Sequence, residues 1–294
     1  MRVVVTGRHG QVARALTERG DDPGVAVITC GRPDCDLARP EGIAGVLAAH
    51  RPDVIVNAAA YTAVDQAESA YAEALAINGA GAGAVAQVAA ALGVPVIQLS
   101  TDYVFDGTKT TPYVETDAVQ PVNAYGRSKL AGEVAVARAT ANHVILRTSW
   151  VYAAEGKNFL RTMLRLAEGR DSVSVVSDQH GAPSYAPDLA DAILKVARNL
   201  VERPDDAGLR GIFHMTGGGE ATWAGFAEEI FRRSVARGGA GARVVPILSR
   251  DYPTPARRPA NSRLDCAKLK SIHGVVMPDW RDGLERCMNR LLPG

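Results

Sequence analysis

The run Arg2-Val3-Val4-Val5-Thr6, followed at once by Gly7-Arg8-His9-Gly10-Gln11-Val12-Ala13, commits the start of this chain to a strand, a glycine turn and a helix. Three consecutive valines suit a strand buried on both faces of a parallel sheet. The amphipathic run Ala15 to Arg19 continues the helix. Strand, turn and helix start are the context that a dinucleotide fingerprint requires. Gly7 would make the tight turn, and Gly10 would let the backbone approach a pyrophosphate at the helix N-terminus. The third glycine position carries Ala13, which the fingerprint permits. A glycine pattern alone also fits an ordinary helix-entry turn, so its meaning depends on the rest of the chain.

The rest alternates in the same way. Val25 to Ile28 reads as a second strand, Pro40 to His50 as helix and Asp53 to Asn57 as strand. Asp65 to Gly93 is mostly helical, Pro95 to Leu99 is a strand, Ala124 to Ala141 a helix and His143 to Arg147 a strand. Repeated strand–helix alternation implies an α/β fold with a Rossmann-like doubly wound parallel sheet. Beyond it the spacing predicts strands at Val173 to Val176 and Gly211 to Met215. Helices are expected at Pro187 to Leu200, Trp223 to Arg237 and Asp279 to Leu292, with a Pro/Arg-rich loop from Pro253 to Arg263. The expected organisation is a dinucleotide-binding domain over 1–148 with a return strand near 211–216. Residues 149–294 would form mainly a smaller α+β substrate domain. Gly238 to Gly241 reads as a flexible connection too short for a domain linker.

Bulk properties narrow the class. The 294 residues are 47% hydrophobic and 22% charged, with a formal net charge of +1, which gives no reason to expect a nucleic-acid partner. Ala80 to Leu99 is the longest apolar stretch. Its Gly, Gln and Pro interruptions make it a buried crossover helix and strand, not a membrane span. The sequence enters a strand at once, so no signal peptide is expected. Cys30, Cys35, Cys266 and Cys287 show no CxxC spacing and no zinc-ligand spacing to a His, so free thiols in a reducing cytoplasm are expected.

The chemistry is carried by Tyr125-Gly126-Arg127-Ser128-Lys129 and by Ser100-Thr101-Asp102-Tyr103-Val104-Phe105-Asp106-Gly107. A Tyr and a Lys four apart stack on one helix face. The ammonium would then lower the phenol's pKa and ready it to donate a proton. Thr101 supplies a hydroxyl after the apolar run Val94 to Leu99. With a nicotinamide nearby, these residues form a ketone-reducing site. A bare YxxxK could be a surface pair, but the hydroxyl and the glycine turn are both in place.

These motifs resemble the dTDP-4-dehydrorhamnose reductase family, a branch of the extended short-chain dehydrogenases/reductases. The likeness runs nearly end to end, through Asn57-Ala58-Ala59-Ala60-Tyr61-Thr62-Ala63-Val64-Asp65, Arg147 to Tyr152, Asp178 to Pro183 and Pro255 to Ser262. It implies NADPH-dependent reduction, with NADH also accepted, of the 4-keto group of dTDP-4-dehydro-6-deoxy-L-mannose to dTDP-L-rhamnose. It places the triad on Thr101, Tyr125 and Lys129, with Tyr125 as proton donor. It sets the cofactor against Gly7, His9, Gly10, Gln11, Val12, Arg32, Asp36, Leu37, Ala58, Ala59, Ala60, Tyr61, Tyr125 and Lys129. The sugar pocket falls on Val64, Thr101, Tyr103, Tyr125 and Trp150, whose aromatic rings suit a 6-deoxy methyl face. Asn158 and Arg258 fall toward the nucleotide diphosphate, where an Arg fork fits phosphate.

No acid follows Ile28-Thr29-Cys30-Gly31-Arg32 before Asp34, so Arg32 could meet a 2′-phosphate and NADPH is favoured over NADH. Some family members hold Mg²⁺ between two subunits through glutamates. The corresponding positions here are Ala15 and Pro187, so no metal is expected unless Glu18 or Asp188 replaces them. A monomer or a metal-independent homodimer follows. Dehydratases of this class place Asp-Glu directly after the catalytic Thr. Asp102-Tyr103 stands here, which favours plain reduction. A 4-ketoreductase for another dTDP-deoxysugar, and a catalytically silent NADP-binding subunit, are the remaining alternatives.

Overall fold

The computed structural model describes residues 1–20 and 24–292. Six strands form the central sheet: β1 (Arg2–Thr6), β2 (Ala26–Cys30), β3 (Val54–Asn57), β4 (Val96–Thr101), β5 (His143–Thr148) and, last in the chain, Gly211–His214. That last strand is β10 once the short strands β6 (Val151–Tyr152), β7 (Ser172–Val176), β8 (His180–Gly181) and β9 (Ser184–Tyr185) are counted. The order across the sheet is β2-β1-β3-β4-β5-β10, and every neighbouring pair is parallel. The chain moves outward from β1 to β2, then crosses to β3 on the other side of β1. This reversal opens a crevice at the carboxyl ends of β1 and β3, where ligands bind in such sheets.

Helices cover both faces, as strands without a polar side require. Val3 and Val5 point to one face, where they pack with α1 (Gln11–Glu18), α7 (Ala186–Glu202) and α9 (Ala267–His273). Val4 and Ile55 point to the other, against α2 (Ile43–Ala49), α4 (Ala82–Leu92) and α5 (Ala124–Ala139). The short α3 (Tyr71–Leu75) runs through a π-helical turn, Ala76–Gly81, into α4. The helical run Tyr71–Leu92 has the length and hydropathy of a membrane span, yet Ala82, Val85, Ala86 and Ala89 sit in the core beneath the sheet.

A second core lies between α6 (Phe159–Ala167), α8 (Trp223–Val235) and α10 (Trp280–Leu291). Two further strands belong to this part of the chain. β11 (Ala221–Thr222) pairs with β8, and β12 (Arg243–Ile247) runs parallel to β7. The expected elements include neither α6, α9 and β12 nor the two-residue strands β6, β8, β9 and β11. β12 is a half-exposed strand with Pro246 in it and no strict alternation, so its pairing with β7 is a tertiary choice. The sequence also marks Gly238 to Gly241 as flexible. The turn is instead packed: the Ser234 hydroxyl donates to the Ala240 carbonyl at 2.6 Å, and a Cβ on Gly239 would collide with Ser234 and Leu292. α5 stops at Ala139, where Thr140 turns extended, two residues short of the expected end.

Candidate active site

Parallel register puts the functional segments on one edge. Thr6 pairs with Asn57, Asn57 with Gln98 and Thr101 with Thr148, so Gly7, Ala58 and Thr101 leave their strands on the same side. A buried polar row ties these strands together. The Thr6 hydroxyl donates to Asn57 Oδ1, Asn57 Nδ2 donates to Gln98 Oε1 at 2.7 Å, and Gln98 Nε2 donates to the Leu99 carbonyl at 2.8 Å.

A cavity of about 460 Å³ opens at the β1/β3 crevice. Gly7, His9, Gly10, Arg32, Asp36, Leu37, Ala58, Ala59, Ala60 and Tyr61 line it, together with Arg8, Gly31, Cys35, Thr62, Ala63, Glu73 and Ile77. Gly7 adopts φ +99°, which only glycine takes readily, and a Cβ added there would lie 3.5 Å from the Ala59 backbone. The N-terminus of α1 opens here with no side-chain cap and no acid in its first turn, so its orphan N–H groups and dipole are available to an anion. The Tyr61 hydroxyl is buried without a partner. A narrow trough with a bare helix N-terminus and an orphaned hydroxyl fits a dinucleotide. Gln11 and Val12 lie on α1 behind this rim. Val12 is buried in the core, and Gln11 Nε2 donates to the Val151 carbonyl. Arg8, inside the glycine turn, was the legible residue that the sequence reading passed over.

Thr101, Tyr125 and Lys129 converge beside this crevice. Asn123 caps α5 by accepting from Gly126 N–H at 2.8 Å. Gly126 has no Cβ, and one added there would strike the Tyr103 carbonyl, so α5 comes down directly on the turn after β4. Tyr125 then meets Tyr103 edge to face at 5.7 Å between ring centroids. Lys129 is 4% exposed and donates from Nζ to the Leu99 carbonyl at 2.7 Å. It is therefore not a surface residue. Burial brings its pKa down to about 8, partly offset by the Glu133 charge. The lowered phenol expected from the Tyr/Lys spacing is not found. Burial, then the charge of Asp102, raises Tyr125, against a hydrogen bond with Thr101, and Lys129 is not among the charges acting on it, so free Tyr125 holds its proton. Asn78 braces the neighbouring loop. It accepts from Tyr61 N–H at 2.8 Å and donates to Ser128 Oγ at 2.9 Å.

Asp102 is an additional group in this site. It is 4% exposed, and Thr101 Oγ1 donates to its Oδ1 at 3.0 Å while Oδ2 has no partner. Burial lifts its pKa to about 7, against hydrogen bonds from Ser262 and Thr101. Its adjacency to Thr101 was the available signal. Beneath the site, Arg147 donates from Nε and Nη2 to the Glu133 carboxylate at 2.9 and 2.6 Å, and Ser100 Oγ donates to the same carboxylate at 2.6 Å.

Val64 sits half-buried on the loop after Tyr61. Trp150 holds φ +48° and stacks on Trp223, with 3.5 Å between centroids and 11° between planes. A Cβ on Gly181 would lie 2.5 Å from the Trp150 indole, so the ring is held between Gly181 and Trp223.

Two expected diphosphate residues are engaged elsewhere. Asn158 caps α6 by accepting from Arg161 N–H at 3.0 Å, and its Nδ2 donates to Gln11 Oε1 and to the Ala153 carbonyl. The Arg258 fork is closed on Asp65, with both terminal nitrogens 2.9 Å from its carboxylate oxygens. At the positions considered for a metal, Ala15 is buried, Pro187 opens α7, Glu18 accepts from Arg290 at 2.8 and 3.1 Å, and Asp188 accepts from Arg286 at 2.7 Å. Among the described residues, Cys30, Cys35, Cys266 and Cys287 are free.

Comparison with known proteins agrees with this architecture. The family profile described as the RmlD substrate binding domain matches residues 1–292. A dTDP-4-dehydrorhamnose reductase of Sinorhizobium fredii is 50% identical over 99% of this chain and 98% of its own, and one of Burkholderia thailandensis is 47% identical over 99% of both. Among solved structures, a dTDP-4-dehydrorhamnose reductase of Bacillus anthracis in complex with NADP superposes with a TM-score of 0.91 at 34% identity, covering 98% of this chain and 99% of that one. A UDP-glucose 4-epimerase of Thermus thermophilus shares the fold at 20% identity and a TM-score of 0.78, covering 100% and 99% of the two chains. The chain belongs to the dTDP-4-dehydrorhamnose reductase family.

Proposed function

We propose that this protein reduces the 4-keto group of dTDP-4-dehydro-6-deoxy-L-mannose to dTDP-L-rhamnose with NADPH, and accepts NADH as well. The observation that carries this reading is the convergence of Thr101, Tyr125 and Lys129 beside the glycine-turn crevice, in a chain alike over its whole length to such reductases. NADPH bound in the crevice would supply the hydride. Gly7, Gly10 and the α1 N-terminus would hold its pyrophosphate, Arg32 its 2′-phosphate and Asp36 its adenine. Tyr125 gives its proton to the oxygen that becomes the C4 hydroxyl. Lys129, charged in a buried setting, stabilises the phenolate left behind. Thr101 orients the sugar oxygen, and Val64, Tyr103 and Trp150 wall the pocket.

Residues 1–148 with the return strand near 211–216 serve the dinucleotide, and 149–294 serve mainly the sugar nucleotide. In this reading the enzyme works in the cytoplasm, without nucleic acid, membrane or metal, as a monomer or a metal-independent homodimer. Loss of NADPH absorbance with purified dTDP-4-keto sugar, and product stereochemistry by NMR, test the activity. Tyr125→Phe should bind both ligands and lose about 10²- to 10⁴-fold in rate. Wild-type turnover in that variant would remove Tyr125 from the chemistry. A change of sedimentation or rate on adding EDTA or Mg²⁺ would refute the metal-free reading.

A further inference from the structure

The strap between β12 and α9 crosses the catalytic edge and is unevenly anchored. Its second half is held at many points. Asn261 Nδ2 donates to the Lys109 and Thr111 carbonyls at 2.7 and 2.8 Å, and Ser262 N–H donates to the His180 carbonyl at 2.7 Å. Its first half, residues 253–258, is different. Among the described residues, its hydrogen bonds to the rest of the fold go only to Asn123, whose Nδ2 donates to the Arg257 carbonyl at 2.8 Å, and to Asp65.

Asp65 takes most of that load. Its Oδ1 accepts from Arg258 Nη1 at 2.9 Å and from Ala256 N–H at 3.2 Å, and its Oδ2 accepts from Arg258 Nη2 at 2.9 Å. Arg258 Nη1 also donates to Thr254 Oγ1 and to the Ala256 carbonyl, so the strap curls around one carboxylate. The pair is partly exposed, at 41% for Asp65 and 26% for Arg258. An ion pair in that setting adds little to global stability. What a two-pronged fork adds is orientation. The pair also stands beside the Tyr103 phenol, on which the two charges act in opposite directions. Asp65 closes the loop that begins with Ala58 to Tyr61 in the wall of the crevice.

We propose that Asp65 is a positioning residue for the sugar nucleotide: by holding Arg258 it fixes residues 253–258 over Tyr103 and so shapes the substrate side of the site. This rests on the reading of that edge as a sugar-nucleotide site. The fork is closed on Asp65, so the strap acts through its shape and not through an Arg258 guanidinium free for the diphosphate.

The test compares wild type, Asp65→Asn, Asp65→Glu, Arg258→Gln and the double variant Asp65→Asn/Arg258→Gln. Turnover of the dTDP-4-keto sugar is measured, with binding of dTDP and of NADPH by calorimetry. Asp65→Asn should raise KM and weaken dTDP about tenfold, in the middle of the range for residues that act together, with kcat and NADPH binding within about twofold. Asp65→Glu should recover most of the loss. The double variant should be no worse than either single one. Additive losses would overturn the proposal, because Arg258 would then act on substrate by itself. An equal loss of NADPH binding would overturn it too, as a general collapse of the loop. Wild type that binds dTDP but does not turn over refutes the reaction assignment alone, and the dTDP affinities still decide the role of Asp65. Wild type that binds no dTDP refutes both.

Discussion

The Lys129 ammonium donates to the Leu99 carbonyl at 2.7 Å, and the same carbonyl accepts from the Gln98 side chain at 2.8 Å. The end of strand β4 thus holds the Lys129 ammonium out of water. Burial lowers the Lys129 pKa to about 8. The rate of keto reduction should therefore fall on the alkaline side with an apparent pKa near that value, as the site loses its positive charge. Lys129→Met should reduce kcat by about 10²-fold or more and abolish that limb. A pH–rate profile with an unchanged alkaline limb in the variant would assign the limb to another group. The linked stability effect has a definite sign. The folded state releases this proton at lower pH than the unfolded chain, so stability due to Lys129 rises as pH goes from about 8 to 10.5.

Glu133 and Arg147 form a nearly fully buried ion pair, at 4% and 2% exposure, one helical turn beyond Lys129. Such a pair adds modest net stability, but removing one member strands the other. Glu133→Gln should destabilise the fold by about 3–5 kcal/mol, measured by urea unfolding. The Arg147 guanidinium lies 5.0 Å from the Phe105 ring centroid, so apolar neighbours are already at hand. Glu133→Leu with Arg147→Met should recover most of that loss. A single variant as stable as wild type would show that water reaches the pair.

The Trp150 indole depends on the absence of a side chain at position 181. Gly181→Ala puts a methyl 2.5 Å from the Trp150 ring, well inside van der Waals contact, so the ring must leave the Trp223 stack. KM for the sugar nucleotide should rise by about tenfold, a typical coupling between touching residues, while NADPH affinity stays constant. The near-UV circular dichroism of the stacked indoles should also collapse. A retained spectrum with unchanged KM would mean that the stack does not shape the pocket.

The sequence revealed what is encoded locally. Gly7 and the valines of β1 reveal the crevice because a left-handed turn and a two-sided buried strand each need specific residues. The spacing of Tyr125 and Lys129 reveals the helix face on which both stand. What stayed hidden arises from distant partners. Nothing near Asp65 in the chain announces that Arg258, 193 residues later, will close on it. The resemblance points Asn158 toward the diphosphate, and the structure adds a role as the α6 cap that the sequence did not announce. β12 exists because β7 offers it an edge, which no local pattern records.

Arg32 stands exposed at the rim of the crevice just after β2, where an acid would select NADH. The next acid, Asp34, faces Arg8 at 3.4 Å and so is partly neutralised. Asp36 and Glu73 also line the crevice, but at the end of β2 the rim carries the Arg8 and Arg32 guanidinium groups and only the Arg8-paired Asp34, a local balance that favours a 2′-phosphate over a bare ribose hydroxyl. Arg32→Ala should weaken NADPH about tenfold or more, the loss of one charge-assisted contact, and leave NADH within about twofold. Raising salt should narrow the difference between the two cofactors in wild type, since the contact is exposed. Fluorescence titration with each cofactor measures both effects. Equal losses for NADPH and NADH in Arg32→Ala would remove Arg32 as the discriminator and leave Arg8 as the residue to test.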